Sequence, residues 1–137
     1  MSKQLTCEER VGASLESTME DLEKLWEAWK NDDEYLEDLG NLYEYGLAFD
    51  YVAPETFRDQ PIGFFRYQLS CGGPQEEFRI FTDPDFRVYK IEYWFLDWFD
   101  GAKKILDGED FRLMDEIFQV FFVDSGTAQA VYSEAKE

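Results

Sequence analysis

The chain has 137 residues, with 13 Lys+Arg, 31 Asp+Glu and no histidine, giving a formal net charge of −18. Apolar residues make up 45% and aromatic residues 18%, the composition of a chain that buries a core rather than a disordered one. The charge argues against direct binding to DNA, RNA or anionic lipid, which need a basic footprint. The missing histidine excludes Ser-His-Asp and Cys-His catalysis and His-containing zinc sites.

The length predicts one domain over 1–137, with residues 1–10 polar and flexible. A helical pattern starts at Ser14, which with Glu16 and Ser17 offers an N-terminal cap. Val11, Leu15, Met19, Leu22, Leu25, Trp26 and Trp29 recur at spacings of three and four and form one apolar face. Asn31, Asp32 and Asp33 break this helix and cap a second one running to about Tyr45. Its apolar side is Tyr35, Leu36, Leu39, Leu42 and Tyr43, and Gly46 suits its C′ position.

The period then changes to two. Leu47 to Val52 reads as a short strand ended by Pro54, Gly63 to Cys71 as a second, and Glu76 to Thr82 as a third. Cys71-Gly72-Gly73-Pro74 is a hairpin signal. A Gly72-Gly73 turn sets Phe65 opposite Ile80 and Tyr67 opposite Phe78 inside, and Arg66 opposite Arg79 outside. A fourth strand, Arg87 to about Phe95, places Tyr89, Ile91, Tyr93 and Phe95 inward and Val88, Lys90, Glu92 and Trp94 outward. After a break at Asp107-Gly108-Glu109-Asp110, Phe111, Met114, Ile117, Phe118, Phe121 and Phe122 repeat helically, and a short tail helix covers roughly Thr127 to Ala135. The expected fold is α+β: a four-stranded antiparallel meander, with an N-terminal helix pair and C-terminal helices packed on the sheet.

Charge is unevenly distributed along this plan. Residues 1–57 hold 15 acids and 4 bases, residues 58–90 hold 5 of each, and residues 91–137 hold 11 acids and 4 bases. The sheet is therefore neutral, and the net charge sits in the helical thirds. Glu16, Glu20, Glu23 and Glu27 run along one face of the first helix, and Glu34, Glu37, Asp38 and Glu44 continue the series. Asp107, Glu109, Asp110, Asp115 and Glu116 form a second set near the third helix. Successive turns space carboxylates by about 5.4 Å, similar in order to the ~3.4 Å phosphate rise of a DNA strand. Such a row suits a site built for phosphates, although acidic helix faces ordinarily serve only solvation.

Other constellations carry less chemistry. Arg66, Arg79 and Lys90 line up on the outer sheet face, where they offer a site for an anion or a partner's carboxylate, although pairing with Glu77, Glu92 or a covering acidic segment is the ordinary expectation. Trp94 and Trp98 are candidates for a partner-facing patch, because Trp is enriched in binding hot spots. Asp83-x-Asp85 reads as a turn, and Asp97-x-x-Asp100 lacks supporting ligands for metal or catalysis. Cys7 and Cys71 are too few for an all-cysteine zinc site and read as free thiols of a reducing cytosol. No cofactor motif is present. The segment from Met1 to Arg10 lacks a signal-peptide apolar stretch, and no apolar run approaches the ~20 residues of a membrane span.

Gly63 to Arg79 (GFFRYQLSCGGPQEEFR) and Lys90 to Ala102 (KIEYWFLDWFDGA) resemble segments of small acidic proteins carried on bacterial plasmids and phages. By type, the whole chain resembles the acidic DNA mimics that mobile elements direct against restriction or CRISPR systems. That resemblance implies a non-enzymatic inhibitor in the cytoplasm. Its partner would be a basic nucleic-acid-binding defence nuclease or effector complex, held through Glu16, Glu20, Glu23, Glu27, Glu34, Glu37, Asp38 and Glu44, with Trp94 and Trp98. The alternatives are an immunity protein or antitoxin that neutralises a basic toxin, and a small carboxylate-dependent enzyme. Reversing Glu20, Glu23, Glu27, Glu34 and Asp38 to Lys is expected to abolish binding without unfolding, with the acids near the third helix as the control set.

Overall fold

The computed structural model describes residues 6–32, 34–71, 74–97 and 100–136. Helix α1 spans Cys7–Lys30 and is about 36 Å long at 1.5 Å per residue. It starts about two turns before the expected Ser14, because Thr6 and Glu9 form a capping box. The Thr6 side chain accepts from the Glu9 N–H, and Glu9 accepts from the Thr6 N–H at 3.2 Å. Residues 7–10 are therefore helical rather than loose. Asp100 accepts from the Cys7 N–H at 2.8 Å and Asp97 pairs with Arg10 at 2.6 Å, which ties the helix start to the sheet. Ser14 is an interior residue whose hydroxyl contacts Tyr93 Oη at 2.7 Å.

The second expected helix shrinks to α2, the single turn Leu42–Tyr45. Gly40 at φ +78 and a bridge between Leu36 and Gly40 turn the preceding chain into a loop. Leu36 and Leu39 still pack on the core, but Tyr35 and Tyr43 are exposed. Gly46 has φ −84 and is no left-handed C′ residue. It is required for another reason, since a Cβ there would run into the Tyr67 ring.

The sheet is an antiparallel meander of five strands in sequence order: β1 (Ala48–Val52), β2 (Phe64–Ser70), β3 (Gln75–Thr82), β4 (Val88–Asp97) and β5 (Asp100–Ile105). The expected register holds, with Phe65 opposite Ile80, Tyr67 opposite Phe78 and Arg66 opposite Arg79. The Gly72-Gly73 turn lies outside the described residues. Strand β5 was not expected, because its sequence is polar and only Ala102 is even half-buried. Tyr89 is a second correction. Thr82 pairs with Val88 while Phe81 pairs with Lys90, so Tyr89 is an extra bulged residue. It is exposed and lies toward Phe81, while Val88 packs on the core instead.

Helix α3 (Gly108–Ile117) continues into a π-helical segment, Phe118–Val123, and α4 (Thr127–Ala135) closes the chain. The inner sheet face presents Phe65, Tyr67, Phe78, Ile80, Ile91, Tyr93 and Phe95 to Leu22, Leu25 and Trp26 of α1 and to Met114, Ile117, Phe118 and Phe122. Phe122 stacks on Phe49 at 4.0 Å and meets Tyr67 edge-on at 5.2 Å. On the outer sheet face, Val52, Phe64 and Phe81 form a small buried apolar cluster. Among the described residues, no helix is long and apolar enough to cross a membrane.

Candidate partner-binding surface

The apolar stripe of α1 faces the sheet, so Glu16, Glu20, Glu23 and Glu27 are turned outward and are exposed. Helix α3 lies alongside and contributes Glu109, Asp110 and Glu116 to the facing wall of an open groove of about 510 Å³. Seven carboxylates and two bases, Lys30 and Arg112, line this groove. Leu15, Met19, Trp26 and Leu113 supply its apolar lining. Burial, and then the neighbouring Asp107, Glu109 and Glu16, push the Asp110 carboxyl above the usual carboxylate range. Burial is the larger cause, and the like charges around Asp110 add to it.

On the other flank of α1, Glu34 joins Glu20, Glu23 and Glu27 around a second open hollow of about 830 Å³. Glu37 and Asp38 lie beside Asp21 and Lys24 a little further on. Seven of the ten candidate residues thus form one acidic belt around α1. The sequence reading missed Glu109, Asp110 and Glu116 as members of that belt. It set them apart as a control, yet they face Glu16, Glu20, Glu23 and Glu27 across one groove. The acidic run was visible in the sequence, but its packing beside α1 was not. Glu44 is exposed on α2 and lines none of these hollows.

Trp94 lies on the opposite face of the sheet and is half-buried. Its ring lies 3.9 Å from the Arg79 guanidinium and its indole N–H donates to Glu92 at 3.1 Å. Arg79 in turn donates to the fully buried Glu77 at 2.8 Å, which also accepts from Gln75 at 2.6 Å. Glu92 accepts from Lys103 at 3.1 Å and lies 3.6 Å from Lys90. Burial raises the Glu92 carboxyl, but bonds from Trp94 and Lys103 and the nearby lysines outweigh it and hold the carboxyl below its ordinary value. Arg66 grips Asp50 with two bonds of 3.0 and 2.8 Å. Arg66, Arg79 and Lys90 are therefore each paired with a carboxylate, and Trp94 covers that network apart from the acidic belt. Trp98 lies outside the described residues.

The remaining carboxylate pairs serve the fold. Asp83 accepts from the N–H groups of Asp85 and Arg87 at 2.9 and 3.0 Å, as a turn residue does. Asp97 is paired with Arg10 and Asp100 caps α1. Among the described residues, no group of three or more Asp, Glu or Cys side chains is arranged to hold a metal ion. Compared with protein-family models, curated proteins and solved structures, the chain matches none of them.

Proposed function

We propose that the protein is a non-enzymatic acidic decoy that occupies the nucleic-acid-binding site of a basic partner, in the cytoplasm of a bacterium. The partner class is a defence nuclease or effector. The observation that carries this reading is the convergence of carboxylates from α1, from the loop after it and from α3 on one belt with few bases. Like charges at such spacing weaken a fold slightly, and the cations of a basic partner would relieve that repulsion. A belt of this kind steers a basic surface toward itself and competes with phosphates for the same cations. The engagement of Asp83, Asp97 and Asp100 in the fold supports a binding role over carboxylate catalysis.

The test is competition. A basic nuclease or effector bound to labelled duplex DNA is titrated with the protein, and DNA release is read at low and high salt. A decoy releases the DNA, and the effect fades as salt shortens the screening length below ~8 Å. Inhibition that is insensitive to both DNA and salt would favour an immunity protein or antitoxin on a dedicated apolar interface. Absence of any release would end the decoy reading.

A further inference from the structure

One hollow of the molecule shares none of the belt's carboxylates and has the opposite character. It holds about 270 Å³ between α2, the start of β1 and the π-helical segment. The rings of Tyr43, Phe49, Tyr67, Phe121 and Phe122 line it, and none of its lining side chains is charged. The π turn helps to build it. The Asp124 N–H donates to the Gln119 carbonyl at 2.9 Å, five residues back rather than four. Phe121 and Phe122 leave this turn edge-on to each other at 5.1 Å, and both reach the hollow. Such turns are rare and occur frequently at functional sites.

Tyr67 adds a polar atom to this apolar lining. The residue is only 4% exposed, and burial pushes its hydroxyl above the ordinary tyrosine value. The hydroxyl has no hydrogen-bond partner among the described residues, yet it is not sealed in. Among those residues, only the Trp26 indole nitrogen is both fully enclosed and unpartnered. The Tyr67 oxygen lies against Gly46, where a Cβ would collide with it, and Gly46 lines the same hollow. A buried polar group without a partner is exceptional, and this one stands at the wall of a neutral aromatic site.

We propose that this hollow binds a small, neutral, single-ring aromatic molecule whose one polar atom, a hydroxyl or a carbonyl, hydrogen-bonds to the Tyr67 hydroxyl. The volume sets the size. An apolar cavity of roughly 150 Å³ holds benzene, so 270 Å³ accepts one substituted ring rather than a nucleotide. The walls set the shape, because aromatic rings gain from meeting one another edge-on or offset. The uncharged lining sets the charge, because an ion moved there from water would find no counter-charge. The site goes beyond the acidic-decoy reading and does not depend on it.

The test uses the full chain labelled with nitrogen-15, titrated with p-cresol, with toluene and with N-acetyltyrosinamide. Toluene has the same ring without the hydroxyl, and N-acetyltyrosinamide carries the phenol on a peptide backbone. The backbone N–H signals of Gly46, Ser125 and Thr127 report on the hollow, and those of Glu20 and Glu23 on the belt. We expect p-cresol to move the first set saturably, with a Kd of about 1 mM or tighter, and to leave the second set in place. Toluene should bind about threefold to tenfold more weakly, the range of one hydrogen bond. Tyr67→Phe should lower p-cresol affinity by that same factor and leave toluene affinity unchanged. A merely loosened core would instead lower both, so the cycle isolates the hydroxyl contact. Ala48→Phe, which fills the hollow from the start of β1, should abolish binding of both compounds.

No saturable shift with p-cresol, or equal affinity for p-cresol and toluene, overturns the proposal. So does a p-cresol preference that survives Tyr67→Phe. Tighter binding of N-acetyltyrosinamide than of p-cresol would transfer the hollow to a partner's tyrosine and overturn the small-molecule assignment. None of these results bears on the decoy reading, which stands or falls on DNA release.

Discussion

The acidic belt and the outer face of the sheet use the same residue types under opposite rules. On the sheet, Glu77 and Glu92 are almost wholly buried, and each is matched by cations and further donors. Arg79 and Gln75 reach Glu77, while Lys103, Lys90 and Trp94 reach Glu92. On the belt, Glu16, Glu20 and Glu23 stay in water and face Glu109, Asp110 and Glu116. A charge removed from water must be paired, because an isolated buried ion costs several kcal/mol. A charge left in water can remain unpaired for a few tenths. The balanced sheet face is therefore what the fold requires, and the unbalanced belt is what it tolerates.

The largest expected effect comes from breaking the balanced side. Arg79→Ala leaves Glu77 buried without its cation and strips the stack from Trp94 and Phe64. It should cost about 3 kcal/mol in urea unfolding. A loss under about 1 kcal/mol would mean that Gln75 alone satisfies Glu77. Replacing Glu16, Glu20 and Glu23 by Lys on the unbalanced side should instead raise stability by about 1 kcal/mol, because new cross-groove pairs replace repulsion. Adding Lys at Asp110 and Glu116 as well should erase that gain. The non-additivity is the measurement, since only residues sharing a groove couple in this way.

Salt sharpens the same contrast more gently. From about 0.01 M to about 1 M salt, the screening length falls from ~30 Å to ~3 Å. Repulsion across the belt should fade, and Tm should rise by about 3 °C. The triple α1 reversal should show at most half that rise. An equal rise in both proteins would place the repulsion elsewhere in the chain.

Legibility in the sequence follows from how local each signal is. The β2–β3 register was readable because two glycines and alternating aromatics fix it within a short span. The start of α1 was readable in principle, since Thr6-Cys7-Glu8-Glu9 is a capping box whose signal was outweighed by polar composition. Strand β5 was not readable: it is an exposed edge held by pairing with β4, so no hydrophobic alternation marks it. Tyr89 followed the alternation faithfully until a bulge turned it outward. The acids of α1 were legible as a row, but a row became a groove only when α3 docked beside it. That contact depends on Met114, Ile117 and Phe118 finding the same core as α1, which spacing along the chain does not state.

The smallest effect is a pair of opposite pH dependences. Asp110 in the belt has its carboxyl raised, by burial first and by Asp107, Glu109 and Glu16 after it. Asp83 in the β3–β4 turn has its carboxyl lowered, chiefly by the N–H of Arg87. A raised carboxyl binds its proton more tightly in the folded state. Its stabilising share is therefore complete below the unfolded value near ~3.9 and is lost as pH rises through the folded one. A lowered carboxyl behaves in reverse, contributing above the unfolded value and losing its share as pH falls through the folded one. Asp110→Asn should therefore leave the protein slightly more stable than the parent at neutral pH, with the advantage shrinking as pH falls into the carboxylate range. Asp83→Asn should be slightly less stable at neutral pH, with its deficit shrinking over the same fall. Melting temperatures of the two variants across that range should converge on the parent from opposite sides. If both lay below the parent at neutral pH, the Asp110 carboxylate would be paired in the folded protein, and the groove would not be the crowded site its walls imply.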